Sequence, residues 1–325
     1  MTTPSAADGA RPASPGGRAP SPAAETSNPA GRTAQEPPLL ELRGIGKNFG
    51  PVRALSDINL DVPAGKVTAL VGDNGAGKST LIKTVSGIWQ PDHGQIFWQG
   101  RQVNLHSPKA ATDLGIATVY QDLALCDNLD IVQNMFLGRE ELKRFQLDEI
   151  GMELAAKKTL ADLSVVTVRS IRQPVGSLSG GQRQAVAVAK AVMQQAQLVI
   201  LDEPTAALGV TQTRVVLELI DQLSSRGIAV LVISHNLNDV MSSADRIAVL
   251  YLGRLAAIAP VEDLDTASVV ELMTTGRSDR THPVAGQAAH ATSQLGSGPG
   301  SPAGGGMPGG MPGGGAMGYH RGEAP

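Results

Sequence analysis

The feature that most constrains the fold is the glycine-rich stretch GDNGAGKST, which runs from Gly72 to Thr80. It fits the pattern G-x-x-x-x-G-K-[ST], and it lies between the apolar segment KVTALV (66–71), which is typical of a buried strand, and a helical pattern. Glycines in such a loop let backbone N–H groups turn inward around phosphate groups, and the positive end of the following helix adds to the attraction. The sequence therefore predicts a strand, a phosphate-binding loop and a helix in that order.

The residues of this loop have distinct predicted roles. The Lys78 ammonium is expected to neutralise the β- and γ-phosphates of a nucleotide, and the Ser79 hydroxyl is expected to reach Mg²⁺. ATP and Mg²⁺ are therefore the predicted cofactors. The predicted cofactor-binding residues of the loop are Gly72, Asp73, Asn74, Gly75, Ala76, Gly77, Lys78, Ser79 and Thr80.

Two adjacent acids, Asp202 and Glu203, follow the apolar segment LVIL (198–201). Because neighbouring residues on a strand point to opposite sides, Asp202 is expected to face Mg²⁺ while Glu203 faces the attacking water. Glu203 would then act as the base during in-line displacement on the γ-phosphate. Acids at a strand end are usually solvated, but a phosphate-binding loop upstream favours a hydrolytic site.

Apolar strands alternate with helical patterns along much of the chain, which predicts an α/β fold with a parallel sheet covered on both faces. An inserted α-helical subdomain is predicted at about 122–177, and antiparallel β elements are predicted near the start of the folded part. The predicted strands are 39–42, 58–62, 66–71, 116–120, 198–201 and 228–233, and the predicted helices include 180–194, 211–225 and a short one opened by Ser107 and Pro108 and closed by Gly115.

Composition divides the chain into three parts. Residues 1–38 are rich in Pro, Ala, Ser and Gly, and residues 277–325 are rich in Gly, Pro, Ala and Met. Neither segment carries enough apolar surface to offset the entropy of ordering it, so both are predicted to be disordered tails. Residues 39–276 are predicted to form one domain.

Charge and apolar patterning limit the partners. Lys and Arg number 27 against 30 Asp and Glu, which gives no electrostatic reason to expect a nucleic-acid partner. A single cysteine, Cys126, excludes an internal disulfide framework and fits a reducing compartment. The sequence shows no signal peptide and no apolar run long enough to cross a bilayer, so a cytoplasmic protein is expected, with any membrane role supplied through a partner.

Six motifs occur in an order that resembles the ATP-binding subunits of ABC transporters, and the resemblance covers the chain from about Leu39 to Gly276. They are Phe49-Gly50, the phosphate-binding loop, Gln121 in VYQD, LSGGQ (178–182), LVILDEP (198–204) and His235 in VISHN. The resemblance implies a P-loop NTPase core of the ABC ATPase type. It also implies that Phe49 stacks on adenine, that Gln121 and His235 take part in catalysis beside Glu203, and that Gln121 joins Ser79 and Asp202 at Mg²⁺.

The resemblance also gives a role to the LSGGQ stretch, which begins a long helical pattern. In ABC ATPases two domains pack head to tail, so Ser179, Gly180, Gly181 and Gln182 are expected to cover the γ-phosphate bound by a second copy. One copy of each motif in the chain predicts a homodimer with two equivalent ATP sites.

Gly209 departs from the pattern of the family. It ends the stretch TAALG (205–209) at a position where many relatives have an aspartate. Without a carboxylate there, either the usual coupling between the two ATP sites is altered or the backbone compensates for the substitution.

The stretches VYQDLALCDNLDIVQNMFLGRE, LDEPTAALGV and ADRIAVLYLGR are most similar to ATPases of simple-sugar importers of the ribose, xylose and fructose class. That likeness implies integral-membrane permease subunits as partners, a secreted sugar-binding protein as an indirect one, and a place on the inner face of the cell membrane. Importers of another solute such as amino acids, and soluble ABC ATPases without a transport role, remain alternatives. LSGGQ argues against a P-loop kinase.

Overall fold

The computed structural model describes residues 37–278, apart from 166, 167 and 169. The tails predicted at 1–38 and 277–325 lie almost wholly outside the described residues, and the division of the chain into tails and one domain stays a prediction. In chain order, the strands are β1 (Leu40–Phe49), β2 (Val52–Val62), β3 (Val67–Gly72), β4 (His93–Trp98), β5 (Arg101–Val103), β6 (Ile116–Val119), β7 (Leu142–Lys143), β8 (Gln146–Leu147), β9 (Leu198–Asp202), β10 (Ala229–Ile233), β11 (Arg246–Tyr251) and β12 (Arg254–Pro260).

The helices follow the predicted boundaries to within a few residues where a cap defines their start. Ser107 accepts a hydrogen bond from the Ala110 N–H, and Pro108 occupies the first helical position, as predicted. The helices are α1 (Lys78–Val85), α2 (Pro108–Asp113), α3 (Ile131–Phe136), α4 (Glu149–Asp162), α5 (Gly180–Met193), α6 (Val210–Ser225), α7 (Leu237–Ser243) and α8 (Thr266–Thr275).

The central sheet has six strands in the order β12-β11-β3-β10-β9-β6. Every residue of β3 and β10 is buried, which explains why these strands read as continuous apolar runs. The expected parallel pairing holds from β11 to β6, whereas β12 joins the edge in antiparallel orientation. Because β3, β9 and β10 run parallel, the residues that follow them meet at one edge of the sheet, and this edge carries the candidate site.

A second sheet is antiparallel, with the order β2-β1-β4-β5. It agrees with the expected antiparallel elements near the start of the domain but extends them: β1 and β2 continue to a tight turn after Phe49, β4 pairs with β1, and β5 pairs with β4. Arg246 on β11 donates to Asp61 on β2 at 2.5 Å, which connects the two sheets. The antiparallel sheet therefore brings the β1–β2 turn to the site.

The region predicted as a helical subdomain contains α3 and α4, but it also contains a short hairpin between them. β7 and β8 pair with Leu142 opposite Leu147, and the two turn residues, Arg144 and Phe145, have φ angles of 49° and 72°. Such a turn is normally signalled by Asn or Gly, which are absent from positions 144 and 145, so the mostly helical sequence pattern did not predict the hairpin. The limits of a subdomain at about 122–177 stay a prediction.

Among the residues that the structure describes, the helices are all too short or too polar to cross a bilayer.

Candidate functional site

A cavity of about 540 Å³ lies where β3 and β9 end. It brings together most of the predicted phosphate-binding loop with Gln121 and both acids of the β9 end. Five further residues that the sequence did not single out, from the β1–β2 turn region and from the loop after β11, complete the wall. The lining residues are Asn74, Gly75, Gly77, Lys78, Ser79, Thr80, Gln121, Asp202 and Glu203, together with Val52, Arg53, Ala54, Leu252 and Gly253.

Two glycines of the loop are required by close packing as well as by backbone freedom. A Cβ on Gly72 would overlap the carbonyl oxygen of Leu250, so this position needs glycine even though its φ is ordinary. Gly77 has a φ of +108°, and a Cβ there would lie 2.7 Å from the Ala54 carbonyl oxygen. Neighbouring strands thus hold the loop in shape, which the local motif alone does not reveal.

Lys78 is held at the mouth of the loop by the loop itself. Its Nζ donates to the carbonyl oxygen of Gly72 at 2.7 Å and to that of Asp73 at 3.1 Å. In the described part of the chain, no side chain caps α1 and no acidic residue lies in its first turn. The ammonium and the N–H groups of the first turn therefore form a positive, uncapped surface that suits a phosphate group.

The two acids reach the cavity differently from the way strand alternation predicts. β9 ends at Asp202, and Glu203 leaves the strand with a φ of 51° while its N–H donates to the Ile233 carbonyl oxygen at 2.9 Å. Burial, and then the charge of Glu203, raise the pKa of the Asp202 carboxyl, while Lys78 opposes the shift. A cation bound beside Asp202 would favour its ionised form.

Glu203 makes one contact that sequence reasoning missed. His235 Nδ1 lies 2.7 Å from the Glu203 Oε2, with the imidazole largely exposed and the carboxylate mostly buried. The pairing arises because β10 lies beside β9, with Ile233 opposite Asp202. An imidazole that donates from Nδ1 would fix the orientation of the carboxylate and leave its other oxygen for a water molecule.

The loop after Glu203 is fixed by a second contact with no signal in the sequence. Thr205 Oγ1 donates to Asp239 Oδ2 at 2.7 Å, and Asp239 lies in α7, which begins shortly after His235. This bond therefore joins the segment after β9 to the segment after β10.

The LSGGQ stretch lies at the start of α5 and outside this cavity. Ser179 caps the helix: its Oγ accepts from the Gln182 N–H at 3.3 Å, and the Gln182 side chain accepts from the Ser179 N–H at 2.9 Å. Among the described residues, Gly180 lines only a neighbouring cavity of about 390 Å³ that also contains Gln121 and Glu203, while Ser179, Gly181 and Gln182 line neither. Within one chain, these four residues do not line the cavity that contains the phosphate-binding loop.

Phe49 lies at the end of β1, beside the cavity but outside its lining as far as the described residues go. The residue is 40% exposed. In the β1–β2 hairpin Phe49 pairs with Val52, which does line the cavity. The ring is therefore close to the rim where the β1–β2 turn meets the site.

The oxygen atoms at the site suit a hard divalent cation. Ser79, Gln121 and Asp202 line the same cavity and offer hydroxyl, amide and carboxylate oxygens, which are ligands that Mg²⁺ accepts. Within the described ranges, no cluster of three or more His, Cys, Asp or Glu residues could hold a metal by itself. The residues therefore fit Mg²⁺ that arrives with phosphate oxygens.

Comparisons with known proteins agree with this geometry. A family model described as ABC transporter matches residues 55–206. The xylose/arabinose import ATP-binding protein of Sulfolobus acidocaldarius is 45% identical over 73% of this chain and 94% of its own length. The fructose import ATP-binding protein of Rhizobium meliloti is 45% identical over 74% of this chain and 95% of its own.

A solved structure described as an ATP-binding cassette of an ABC transporter matches with a TM-score of 0.65 at 26% identity. The match covers 72% of this chain and 98% of that one. The fold expected from the six motifs is thereby confirmed, and so is the resemblance to importer ATP-binding proteins. The chain belongs to the ATP-binding subunits of the ABC transporter family.

Proposed function

We propose that this chain is an ATPase that powers the import of a monosaccharide through a membrane permease. The observation that carries the proposal is the common cavity, because it places a phosphate-binding loop, oxygen ligands for Mg²⁺ and an oriented carboxylate around one space. The sugar assignment is supported by the similarity to the xylose/arabinose and fructose import proteins.

In the proposed reaction, the first turn of α1 and the Lys78 ammonium bind the phosphates and hold the nucleotide in place. Ser79, Gln121 and Asp202 would hold Mg²⁺, which when bound offsets the negative charge of the phosphate oxygens. Glu203 accepts a proton from the attacking water or orients it, and His235 holds the Glu203 carboxylate from its other side. Phosphate and ADP are the products.

The proposed active assembly is a head-to-tail homodimer. The start of α5 lies outside its own chain's cavity, so a second copy is needed for Ser179, Gly180, Gly181 and Gln182 to reach bound ATP. ATP would then sit between two chains and draw them together. Closure of the dimer around ATP, and its release after hydrolysis, would be the motion that the permease uses.

The proposed location is the inner face of the membrane, where permease subunits bind this chain and a secreted sugar-binding protein acts from the other side. The surface of the β7–β8 hairpin and α4 supports a permanent partner. Leu142 and Leu147 form an exposed cross-strand pair, Phe145 at the turn is fully exposed, and Ile150 and Leu154 lie one turn apart on the exposed face of α4. Exposed apolar groups of this size favour a protein contact.

An uptake experiment tests the proposal. In a strain that lacks this gene, we expect uptake of one labelled monosaccharide from a panel of xylose, arabinose, ribose and fructose to fall to background. Wild-type protein should restore uptake, and Glu203→Gln should not. Loss of amino-acid uptake with normal sugar uptake would instead support the importer of another solute, and no change in any uptake would contradict a transport role.

A further inference from the structure

Two large aromatic side chains, Phe49 and Trp89, lie together near the rim of the site. The buried apolar residues of the domain form two clusters, and neither ring belongs to either of them as far as the described residues go. The ring centroids of Phe49 and Trp89 are 4.7 Å apart at an interplanar angle of 66°, an edge-to-face arrangement. Both residues keep solvent exposure. The other tryptophan, Trp98, is buried in the core. Core packing therefore does not account for the pair.

Trp89 is anchored by the end of α1. The N–H groups of Ile88 and Trp89 both donate to the Lys83 carbonyl oxygen, at 2.9 and 3.0 Å. The Lys83 ammonium lies over the indole ring, 4.8 Å from its centroid. These contacts fix the ring of Trp89 relative to the helix that begins at the phosphate-binding loop.

The same segment holds the backbone on which Phe49 stands. Asp92 accepts from the Lys47 Nζ at 2.8 Å and from the Asn48 N–H at 2.6 Å, and its own N–H donates to the Gly46 carbonyl oxygen at 2.9 Å. The segment 88–92 thus contacts the Phe49 ring through Trp89 and the residues that precede Phe49 through Asp92.

Phe49 lies next to a part of the cavity wall that comes from β2 and not from the phosphate-binding loop. Val52, the hairpin partner of Phe49, lines the cavity together with Arg53 and Ala54. A nucleotide whose phosphates contact the first turn of α1 must place its base elsewhere, and the start of β2 offers a wall of the same cavity outside the loop. A ring held edge-on by a neighbour has its face oriented before a base arrives.

We propose that Trp89 is a positioning residue for base recognition: it holds the Phe49 ring so that its face can stack on the nucleobase. The inference rests on the proposed function, since it takes the bound ligand to be a nucleotide. Trp89 acts through Phe49, so its effect must depend on the presence of that ring and on the presence of a base in the ligand.

The test compares a ligand that has a base with one that has only phosphates. Binding of ADP and of inorganic pyrophosphate, each with Mg²⁺, is measured by isothermal titration calorimetry on the full chain and on W89L, F49L, the double variant and W89F. W89L is expected to weaken ADP binding roughly two- to tenfold and to leave pyrophosphate binding unchanged. W89F, which keeps an aromatic edge, is expected to restore most of the ADP affinity.

The double variant separates positioning from an independent contact. If Trp89 acts through Phe49, F49L combined with W89L should bind ADP no more weakly than F49L alone. Additive losses, an equal loss of pyrophosphate binding, or an unchanged ADP affinity in W89L would each overturn the proposal. I88A, which alters the exposed neighbour in the same turn, is the matched control and should bind both ligands normally.

Failure of the nucleotide assignment itself has a different signature. If the wild-type chain binds neither ADP nor pyrophosphate, or if Lys78→Ala leaves both affinities unchanged, the proposed function is overturned and the role of Trp89 with it. Normal ADP binding that is sensitive to Lys78→Ala but insensitive to W89L overturns the role of Trp89 alone.

Discussion

The starts of α1 and α5 are two glycine-containing helix ends that differ in what surrounds them. The start of α1 forms the wall of a cavity together with residues from β9, the β1–β2 turn and the loop after β11. Among the described residues, no side chain caps α1, whereas α5 is capped by Ser179 and Gln182 of its own sequence. One helix start lines the cavity and has no side-chain cap, and the other is capped by its own sequence and lies outside that cavity.

In the proposed head-to-tail dimer, that difference would give each helix start its own role, one within a chain and one across the interface. A helix end that satisfies its first N–H groups through its own cap folds without a ligand. Such a helix start is already formed when it contacts a ligand that is bound to another chain. The proposed dimer therefore predicts that substitutions at the start of α1 act within one chain, whereas substitutions at the start of α5 act on the neighbouring chain.

The largest expected effect concerns chemistry in the cavity and leaves the α5 side untouched. Glu203→Gln keeps the shape of the side chain but removes the base, so ATP hydrolysis should fall by about 10²- to 10⁴-fold while nucleotide binding persists. Phosphate release and equilibrium binding, measured on the same preparation, check both parts. Hydrolysis at the native rate would show that Glu203 is not the base.

Mixing two inactive variants tests whether the two helix starts belong to different chains of one site. Lys78→Ala removes charge-assisted contacts to phosphate and should weaken nucleotide binding by at least about tenfold. Ser179→Arg places a bulky cation at the start of α5 and should leave binding to a single chain unchanged but prevent closure of two chains around ATP.

A mixed dimer of these variants contains one intact pair, formed by the loop of the Ser179→Arg chain and the α5 start of the Lys78→Ala chain. ATP-dependent dimerisation, followed by light scattering, should therefore appear in the mixture and be absent from each parent. If folded, exchanging chains recover nothing on mixing, the α5 start does not complete a neighbour's site.

Glycine substitutions should also distinguish the two helix starts. At Gly77 the backbone is left-handed and an added Cβ meets a backbone oxygen at 2.7 Å, so Gly77→Ala should lower stability by about 1–3 kcal/mol. At Gly181 the nearest atom is the Gln212 Cβ at 3.2 Å, and alanine gains helix propensity, so Gly181→Ala should change stability by less than about 1 kcal/mol. Thermal unfolding measures both, and equal losses would remove the distinction.

The smallest expected effect is at Gly209, the N-cap of α6. A Cβ there meets no described atom within 4 Å, and φ is −75°, so other residues fit without strain. Gly209→Asp should add a side-chain cap and a few tenths of a kcal/mol of stability, whereas Gly209→Ala should lose some. Melting temperatures in that order would support a cap; a loss in Gly209→Asp would argue that the family's aspartate position needs other compensations in this chain.

Local motifs made the phosphate-binding loop, the cap at Ser107 and the central strands predictable, because glycine spacing and continuous apolar runs act over a few residues. The contacts between distant segments were not predictable. The Glu203–His235 pair depends on β10 lying beside β9, and the need for glycine at position 72 depends on Leu250 of β11. Strand alternation predicted that Glu203 faces the site, and Glu203 does line the cavity. The reason is different, because β9 ends at Asp202 and Glu203 follows it with a left-handed backbone.

The left-handed backbone of Glu203 destabilises the fold at the position of the proposed catalytic base. With φ at 51°, a side chain there costs about 1–2 kcal/mol relative to ordinary backbone, and glycine would relieve most of that cost. A library selected only for thermal resistance would therefore be expected to enrich Glu203→Gly, and if Glu203 is the proposed base, the selected variants would lack ATP hydrolysis.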